Sequence, residues 1–193
     1  MITRVNIKDV LMQGGTCILP TETVYGLAAR ADNTKAIDRI YSIKGRNFDK
    51  PLAVCISDIE HAETLAEFNS QAKALADAFW PGPLTLVLPA KDKTLDARCY
   101  QNDMIALRCP DIAWREHLLD KPLALTSANR SGEPDAITAN TEINTEVDGL
   151  LDMGPAKGGT PSTIISVSKT ALKGLRLGAL TKDELARFDI DWP

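Results

Sequence analysis

Four short segments of the chain combine hydroxyl, amide, carboxylate and cationic side chains with glycine or proline. Their sequences are PTETVYGL (20–27), KGRNFDKPL (44–52), TSANRSGEP (126–134) and GGTPST (158–163). Such mixtures of donors and acceptors can bind a small polar ligand. Three cations lie within seven residues of the second segment, and an arginine fork beside a lysine charge suits a polyphosphate. The small residues of the third segment leave backbone N–H groups accessible to a nucleotide.

Taken alone, each of the first three segments also fits an ordinary structural role. The first has the composition of a polar turn between a strand and a helix, and the second that of a solvated charged surface. The third could be a turn followed by a helix cap. Two arginines in apolar strand contexts, Arg108 (IALRCP) and Arg176 (LRLG), are similarly ambiguous one at a time, but together they favour an anion-lined cleft.

The elements that must position these segments alternate between strands and helices. Apolar periodicity predicts strands at 16–19, 52–56, 84–88, 105–107, 122–126, 163–167 and 172–177. It predicts helices from Thr34 to about Lys44, from Asp58, and from Asn69 or Ser70 to Phe79, with a capping box at 181–184 that should begin a terminal helix. Because strands outnumber the intervening helices, we expect a mixed sheet flanked by helices.

Composition excludes several classes of protein. The 193 residues are 44% hydrophobic and carry a formal charge of −4, which predicts one α/β domain over 1–193 and requires any anion site to be built locally. No segment has the pattern of a signal peptide or a membrane span, so we expect a cytoplasmic protein without a membrane partner. The four cysteines (Cys17, Cys55, Cys99 and Cys109) and two histidines (His61 and His117) are scattered, which argues against zinc and disulfides. The P-loop and dinucleotide glycine motifs are both absent from the sequence.

Taken together, the segments closely resemble the YrdC family, whose members include the threonylcarbamoyl-AMP synthases. The matching strings are PTETVYGL, KGRNFDKPL, WPGPLTLVL, IALRCP, TSANRSGEP, PSTII and LRLGAL, and they occur in the family's order over nearly the whole chain. The resemblance implies an α/β fold in a single domain, with a twisted mixed sheet flanked by helices and a positively charged cavity.

The resemblance also implies roles for individual residues. The threonine-binding residues would be Thr23, Arg108 and Ser162. The ATP-binding residues would be Lys44, Arg46, Lys50, Ser127, Asn129 and Arg176. Mg²⁺ would enter with ATP without metal ligands from the protein, and the sequence identifies no dedicated general base.

The implied reaction joins L-threonine, bicarbonate and ATP into threonylcarbamoyl-AMP for modification of tRNA. Downstream threonylcarbamoyl-transferase proteins would be partners, with a weak contact to tRNA itself. One departure from the pattern is Cys55, which stands where longer archaeal and eukaryotic relatives have a histidine near the threonine. Those relatives also carry a C-terminal domain, so we expect the short form, with any lid supplied by its own loops.

Two alternatives remain open from the sequence. A sister activity in hydrogenase maturation proteins adenylates carbamate without threonine, although those domains usually sit in longer chains with zinc-finger-like and acylphosphatase-like modules. A non-catalytic RNA-binding module is the other, and the acidic net charge argues against it as the main role.

Overall fold

A mixed sheet of eleven strands forms the centre of a computed structural model that describes residues 6–193. The strands are β1 (Cys17–Leu19), β2 (Gly26–Arg30), β3 (Ala53–Cys55), β4 (Leu84–Pro89), β5 (Tyr100–Gln101), β6 (Met104–Arg108), β7 (Leu123–Ser127), β8 (Gly149–Leu150), β9 (Thr163–Val167), β10 (Leu172–Arg176) and β11 (Ile190–Asp191). The helices are α1 (Ile7–Met12), α2 (Thr34–Lys44), α3 (Ile59–Leu65), α4 (Ser70–Phe79) and α5 (Arg115–Leu118), and short 3₁₀ turns occur at Ala97–Cys99 and Asn144–Glu146.

The strand order is β11-β10-β9-β4-β6-β3-β7-β2-β1-β8, with β5 paired to β6 beside this path. Four neighbouring pairs are parallel, namely β1–β8, β3–β6, β4–β9 and β10–β11, and the other neighbours are antiparallel. The predicted α/β fold with a mixed sheet flanked by helices is therefore confirmed. Mixed pairing brings strand ends from distant parts of the sequence to the same edge of the sheet.

Helices cover both faces of the sheet near β1. Ile18 packs into the large core cluster that contains Ile37 and Ile40 of α2. Its neighbours Cys17 and Leu19 point to the opposite face, where they join a smaller cluster with residues of α1 and with Trp114. This alternation follows from the two-residue repeat of a strand and explains why β1 is apolar at every position.

The helix starts follow local side-chain chemistry. Asp58 and Asn69 cap α3 and α4, as predicted, through side-chain oxygens that accept hydrogen bonds from His61 N and Ala72 N. The helix predicted from Thr34 to about Lys44 is confirmed as α2, but its cap is Asn33 and not Thr34, because the side chain of Asn33 accepts the bond from Ala36 N.

Two other predictions from local pattern are corrected by the structure. The segment 20–27 leads from β1 into the antiparallel strand β2 and forms a hairpin connection, not a turn into a helix. The capping box at 181–184 does form, since Thr181 N donates to Glu184 Oε2 (2.7 Å) and Glu184 N to Thr181 Oγ1 (3.3 Å). No α-helix follows, because the chain folds into successive turns that return it to pair β11 with β10.

Among the helices of residues 6–193, none has both the length and the apolar character needed to cross a membrane.

Candidate functional site

A cavity of about 500 Å³ lies against one face of the sheet, within the range typical of small-ligand sites. Its floor includes a row of neighbouring residues from five adjacent strands. In register across β3, β6, β4, β9 and β10 the row reads Cys55, Arg108, Thr85, Ile164 and Arg176. All five line the cavity. The pairing of the sheet therefore brings two arginines that are 68 residues apart in sequence to a common surface.

Small and apolar side chains make the room for this cavity. Ala53, Val87 and Ala106 each lie two residues from a member of the row, on the same strands and therefore on the same face. Leu125 of β7 pairs with Ala53 and extends the floor towards the segment 126–134. Larger residues at these positions would fill the space that a ligand needs.

Arg108 ends strand β6 and is 5% exposed. Its Nη2 donates to Glu22 Oε1 at 2.8 Å and to Thr23 Oγ1 at 2.9 Å. These bonds connect the floor of the cavity to the segment 20–27. One of the four segments, 20–27, therefore contacts this strand-end arginine directly.

A count of hydroxyl protons fixes the direction of the hydrogen bonds in this segment. Thr21 Oγ1 lies 2.6 Å from Val24 O, which can only accept, so Thr21 donates there. The 2.7 Å bond between the hydroxyls of Thr21 and Thr23 must then be donated by Thr23. Since Thr23 Oγ1 also accepts from Arg108, it can offer a ligand an accepting lone pair and no proton.

Ser162 and Arg176 form the wall of the cavity at the β10 end of the row, opposite the end at Cys55. The Nε and Nη2 of Arg176 donate to Ser162 O at 3.0 and 2.8 Å, and Nη2 lies 3.3 Å from Ser162 Oγ. The hydroxyl of Ser162 is 2.8 Å from that of Thr85. Arg176 therefore holds the backbone and the side chain of the segment 158–163 against the sheet.

The charges around the cavity are mostly positive. The lining includes Arg46, Arg108 and Arg176 and one carboxylate, Asp135. Burial lowers the pKa of Arg176, Asp135 raises it, and the charge of Arg108 lowers it again. Arg46 is held in its own loop, because its Nε and Nη2 donate to Lys50 O at 3.2 Å and Pro51 O at 2.9 Å.

Lys44 is buried behind the cavity instead of facing it. Its Nζ donates to Ser127 O and Asn129 O, both at 2.5 Å, and so ties the end of α2 to the segment 126–134. Burial, aided by the charge of Arg46, lowers the pKa of Lys44 to about 8. The amide of Asn129 is also turned inward, since its Nδ2 donates to Arg130 O and Glu133 O.

The structure therefore separates the nine predicted site residues into two groups. The residues that line the cavity are Arg46, Arg108, Ser127, Ser162 and Arg176. The others lie outside its lining: Thr23 contacts Arg108, Lys44 and Asn129 meet each other behind Ser127, and Lys50 is exposed on the rim loop.

Sequence reasoning missed Glu22, Thr85 and Asp135, and it left the role of Cys55 open. Thr85 could have been found, because it is the one hydroxyl in the apolar strand β4. A hydroxyl buried in such a strand requires a polar partner. Asp135 and Glu22 carry no comparable signal, because their proximity to arginines depends on long-range pairing.

Residues 6–193 contain few side chains that are placed to bind a metal ion. No group of three or more His, Cys, Asp or Glu side chains in residues 6–193 is arranged to hold a metal ion. Asp135 is the single carboxylate among the lining residues. One carboxylate together with substrate phosphates is a usual arrangement for Mg²⁺, so this donor set fits an ion that arrives with a nucleotide.

Comparison with known proteins supplies independent findings. A family model named for Sua5, YciO and YrdC, with the description "Telomere recombination", matches residues 9–178. A protein of Methanocaldococcus jannaschii is 37% identical over 94% of this chain and 88% of its own length. The threonylcarbamoyl-AMP synthase of Bacillus subtilis is 38% identical over 91% of this chain, which spans 53% of that protein.

Solved structures agree with the sequence relatives. The crystal structure of Pyrococcus abyssi Sua5 complexed with L-threonine superposes with a TM-score of 0.89 at 34% identity and covers 96% of this chain. The match covers 57% of the Sua5 chain, so this chain spans little more than half of that protein. Escherichia coli YciO, at 22% identity and a TM-score of 0.80, shares the fold.

Proposed function

The chain belongs to the Sua5/YciO/YrdC family, and from this premise we propose that it acts as a threonylcarbamoyl-AMP synthase. The reaction would form threonylcarbamoyl-AMP and pyrophosphate from L-threonine, bicarbonate and ATP. The product would serve the N6-threonylcarbamoyladenosine modification of tRNA.

The observation that carries the proposal is that Arg108 and Ser162 line one cavity together with two more arginines, while Thr23, outside the lining, contacts Arg108. The Arg108 guanidinium suits the carboxylate of threonine. The Thr23 hydroxyl already donates its proton to Thr21, so it can only accept from a substrate and suits an N–H or O–H of threonine. The relative from P. abyssi has the same fold and was crystallised with L-threonine.

The ATP side of the cavity is assigned to the opposite wall and the rim. Arg46 and Arg176 would neutralise phosphate charge, with Lys50 reaching in from the exposed rim loop. Ser127 would line the nucleotide site directly. Lys44 and Asn129 would act on the nucleotide through the segment 126–134, whose backbone Lys44 holds.

The chemistry proceeds in two balanced steps. After its ammonium loses a proton to solvent, the threonine amine adds to bicarbonate with loss of water, or to CO₂ derived from bicarbonate with loss of a second proton, and gives a carbamate. A carbamate oxygen then attacks the α-phosphorus of ATP, and the bond to the β-phosphate oxygen breaks to release pyrophosphate. Positive groups fixed around a dry cavity would stabilise the charge that develops on the phosphates. Mg²⁺ bound to ATP would share this task, and Asp135, the carboxylate of the cavity lining, would help to hold it.

The product is a reactive mixed anhydride, which implies partners that accept it promptly. We include downstream threonylcarbamoyl-transferase proteins, a weak contact with tRNA and a cytoplasmic location in the proposal. Carbamoyl-adenylate formation without threonine is the competing activity within this fold, and RNA binding alone is the competing role outside catalysis.

A dependence assay tests the proposal. Purified protein with Mg²⁺ and ATP should release pyrophosphate only when both L-threonine and bicarbonate are supplied, and Arg108→Ala should abolish this release. Release that needs carbamoyl phosphate and ignores threonine would indicate the competing activity. No release under any combination, together with tight and salt-dependent tRNA binding, would indicate the RNA-binding role.

A further inference from the structure

The ion pair between Glu22 and Arg108 is incompletely bonded, although the Arg108 side chain is buried and the Glu22 side chain is largely buried. Glu22 Oε1 accepts from Arg108 Nη2 at 2.8 Å. Glu22 Oε2 and Arg108 Nε are also buried, and neither has a hydrogen-bond partner within residues 6–193. A buried ion pair stabilises a fold only when its remaining donors and acceptors are satisfied. This pair therefore lacks the bonding of a purely structural salt bridge.

The geometry of the guanidinium shows what Glu22 prevents. An arginine presents two edges with parallel N–H groups to a carboxylate, Nε with Nη2 and Nη1 with Nη2. Both edges require Nη2. The two hydrogens of Arg108 Nη2 are taken by Glu22 and Thr23. While Glu22 holds this position, Arg108 cannot bind a second carboxylate through two parallel hydrogen bonds.

The backbone around Glu22 is fixed, so any exchange must come from its side chain. Gly158 N donates to Glu22 O at 3.0 Å, and Gly159 N donates to Thr23 O at 2.8 Å. A Cβ at position 158 would lie 2.8 Å from Glu22 O, so only glycine allows this approach. The Glu22 side chain can rotate while its Cα stays beside Arg108.

We propose that Glu22 is a specificity-determining residue that the substrate carboxylate displaces from Arg108, and that the released Glu22 carboxylate then pairs with the substrate ammonium. The proposal rests on the assignment of Arg108 to threonine binding in the proposed function. Its consequence is selection for zwitterions, because a ligand must provide both a carboxylate for Arg108 and a cation for Glu22.

The physical reason is the cost of a buried charge without a partner. If a ligand with only a carboxylate displaced Glu22 from Arg108, the Glu22 carboxylate would remain buried beside the anionic ligand and without a cation. An α-amino acid avoids this cost, because its ammonium is bonded to the same carbon as its carboxylate and so lies near Glu22. The site would thereby discriminate against the wrong ligand by leaving a buried charge unpaired.

Calorimetric binding of L-threonine and 3-hydroxybutyrate, which is threonine without its amine, tests the inference. The wild-type protein should bind threonine far more tightly than 3-hydroxybutyrate. In Glu22→Ala the ratio of the two Kd values should fall at least about tenfold, because 3-hydroxybutyrate binds better and threonine binds worse. Glu22→Gln, which keeps an accepting oxygen for Arg108 but no charge, should lower the ratio by a smaller factor.

Glu67→Gln is the matched control, because Glu67 is exposed and lies outside the cavity lining, and it should leave the ratio unchanged. If both Glu22 variants weaken the two ligands equally, Glu22 only supports Arg108 and the inference is wrong. Near-UV circular dichroism checks folding, and the Gln variant decides the test if the Ala variant does not fold. If the wild-type protein binds no threonine, the proposed function itself fails, which is a distinct result.

Discussion

At the scale of single residues, the site depends on groups that a ligand need not touch. Thr21 contributes nothing to the cavity lining, yet its hydroxyl accepts from Thr23 N and Val24 N and donates to Val24 O. It thereby closes the turn and forces the Thr23 hydroxyl to point its proton away from Arg108. The chemistry that Thr23 can offer is set by a neighbour two residues earlier.

We predict that Thr21→Val weakens L-threonine binding about tenfold and leaves ATP binding within twofold of wild type. Loss of the hydroxyl leaves buried partners unsatisfied, at a cost of about 1–3 kcal/mol. It also frees the Thr23 proton to point elsewhere. Calorimetry with each ligand measures the effect.

Thr21→Ser should restore most of the affinity, because it returns the hydroxyl at the same position. Thr64→Val serves as the control, since the Thr64 hydroxyl is exposed on α3 and donates only to His61 O. Normal threonine binding by Thr21→Val would show that the direction of this hydrogen bond has no role.

At the scale of elements, a bulge in β10 decides where Arg176 points. Gly174 pairs with Ile165, but Arg176 pairs with Ile164. One extra residue, Leu175, is therefore inserted into β10 between the partners of two consecutive residues of β9. A regular register would have placed Leu175 opposite Ile164 and reversed the faces of the residues that follow. The bulge therefore places the arginine in the row that crosses the cavity floor.

The turn after β10 must also approach the segment 158–163 closely. A Cβ at Gly178 would lie 2.3 Å from Pro161 O and 2.6 Å from the carbonyl carbon and oxygen of Ser162. Gly178 N donates to Thr163 Oγ1 at 3.0 Å, which keeps the two segments in contact.

We predict that Gly178→Ala lowers the melting temperature and strongly reduces pyrophosphate release. The added methyl group would clash with backbone atoms, which can move only at a cost in folding free energy. An overpacked core site costs about 1–3 kcal/mol, and here the displaced backbone carries Ser162. Thermal unfolding and the dependence assay measure the two effects.

Gly132→Ala is the stability control. A Cβ there meets no atom within 4 Å, and the penalty comes only from the positive φ of 94°, which costs roughly 1–2 kcal/mol. Equal stability of Gly178→Ala and the wild-type protein would show that the turn relaxes without cost.

At the scale of the whole molecule, burial of thiols links stability to alkaline pH. All four cysteines lie within residues 6–193 and are free and buried. Burial raises the pKa of Cys17, Cys55 and Cys99 from 9.0 to about 12. Between these values the unfolded chain releases protons that the folded chain retains. Each thiol therefore lowers the free energy of unfolding by about 1.4 kcal/mol per pH unit above pH 9.

Lys44 has the opposite effect. Its folded pKa of about 8 lies below the ordinary 10.5, so the unfolded chain binds more protons between these values. Stability attributable to Lys44 therefore rises with pH in that window. This contribution is the same in the wild-type protein and in a variant at a remote cysteine.

We predict that Cys17→Ala is less sensitive to alkaline pH than the wild-type protein. Cys17 belongs to the core cluster near α1, so its replacement leaves the cavity lining intact. The stability difference between the two proteins should change by about 2 kcal/mol in favour of the variant between pH 9 and 10.5. Urea unfolding under reducing conditions at these pH values measures it. A difference that stays constant would mean that the Cys17 thiol ionises equally in both states.

The sequence by itself located seven of the eleven strands, the helices α2, α3 and α4, and most of the chemical groups. Apolar periodicity located the strands that cross the cavity floor, and polar caps located α3 and α4, because both signals depend on residues only a few positions apart. The family strings selected residues of which Arg46, Arg108, Ser127, Ser162 and Arg176 do line one cavity.

Only the tertiary structure decided which of these groups line the cavity. Lys44 and Asn129 lie in the matching strings and are polar, as ligand-binding residues are. Their side chains nevertheless turn away from the cavity and hold the segment 126–134. Glu22 meets Arg108 across 86 positions of sequence. Such contacts follow from strand register and from the bulge in β10, which depend on pairing between distant segments, and no local pattern of residues encodes that pairing.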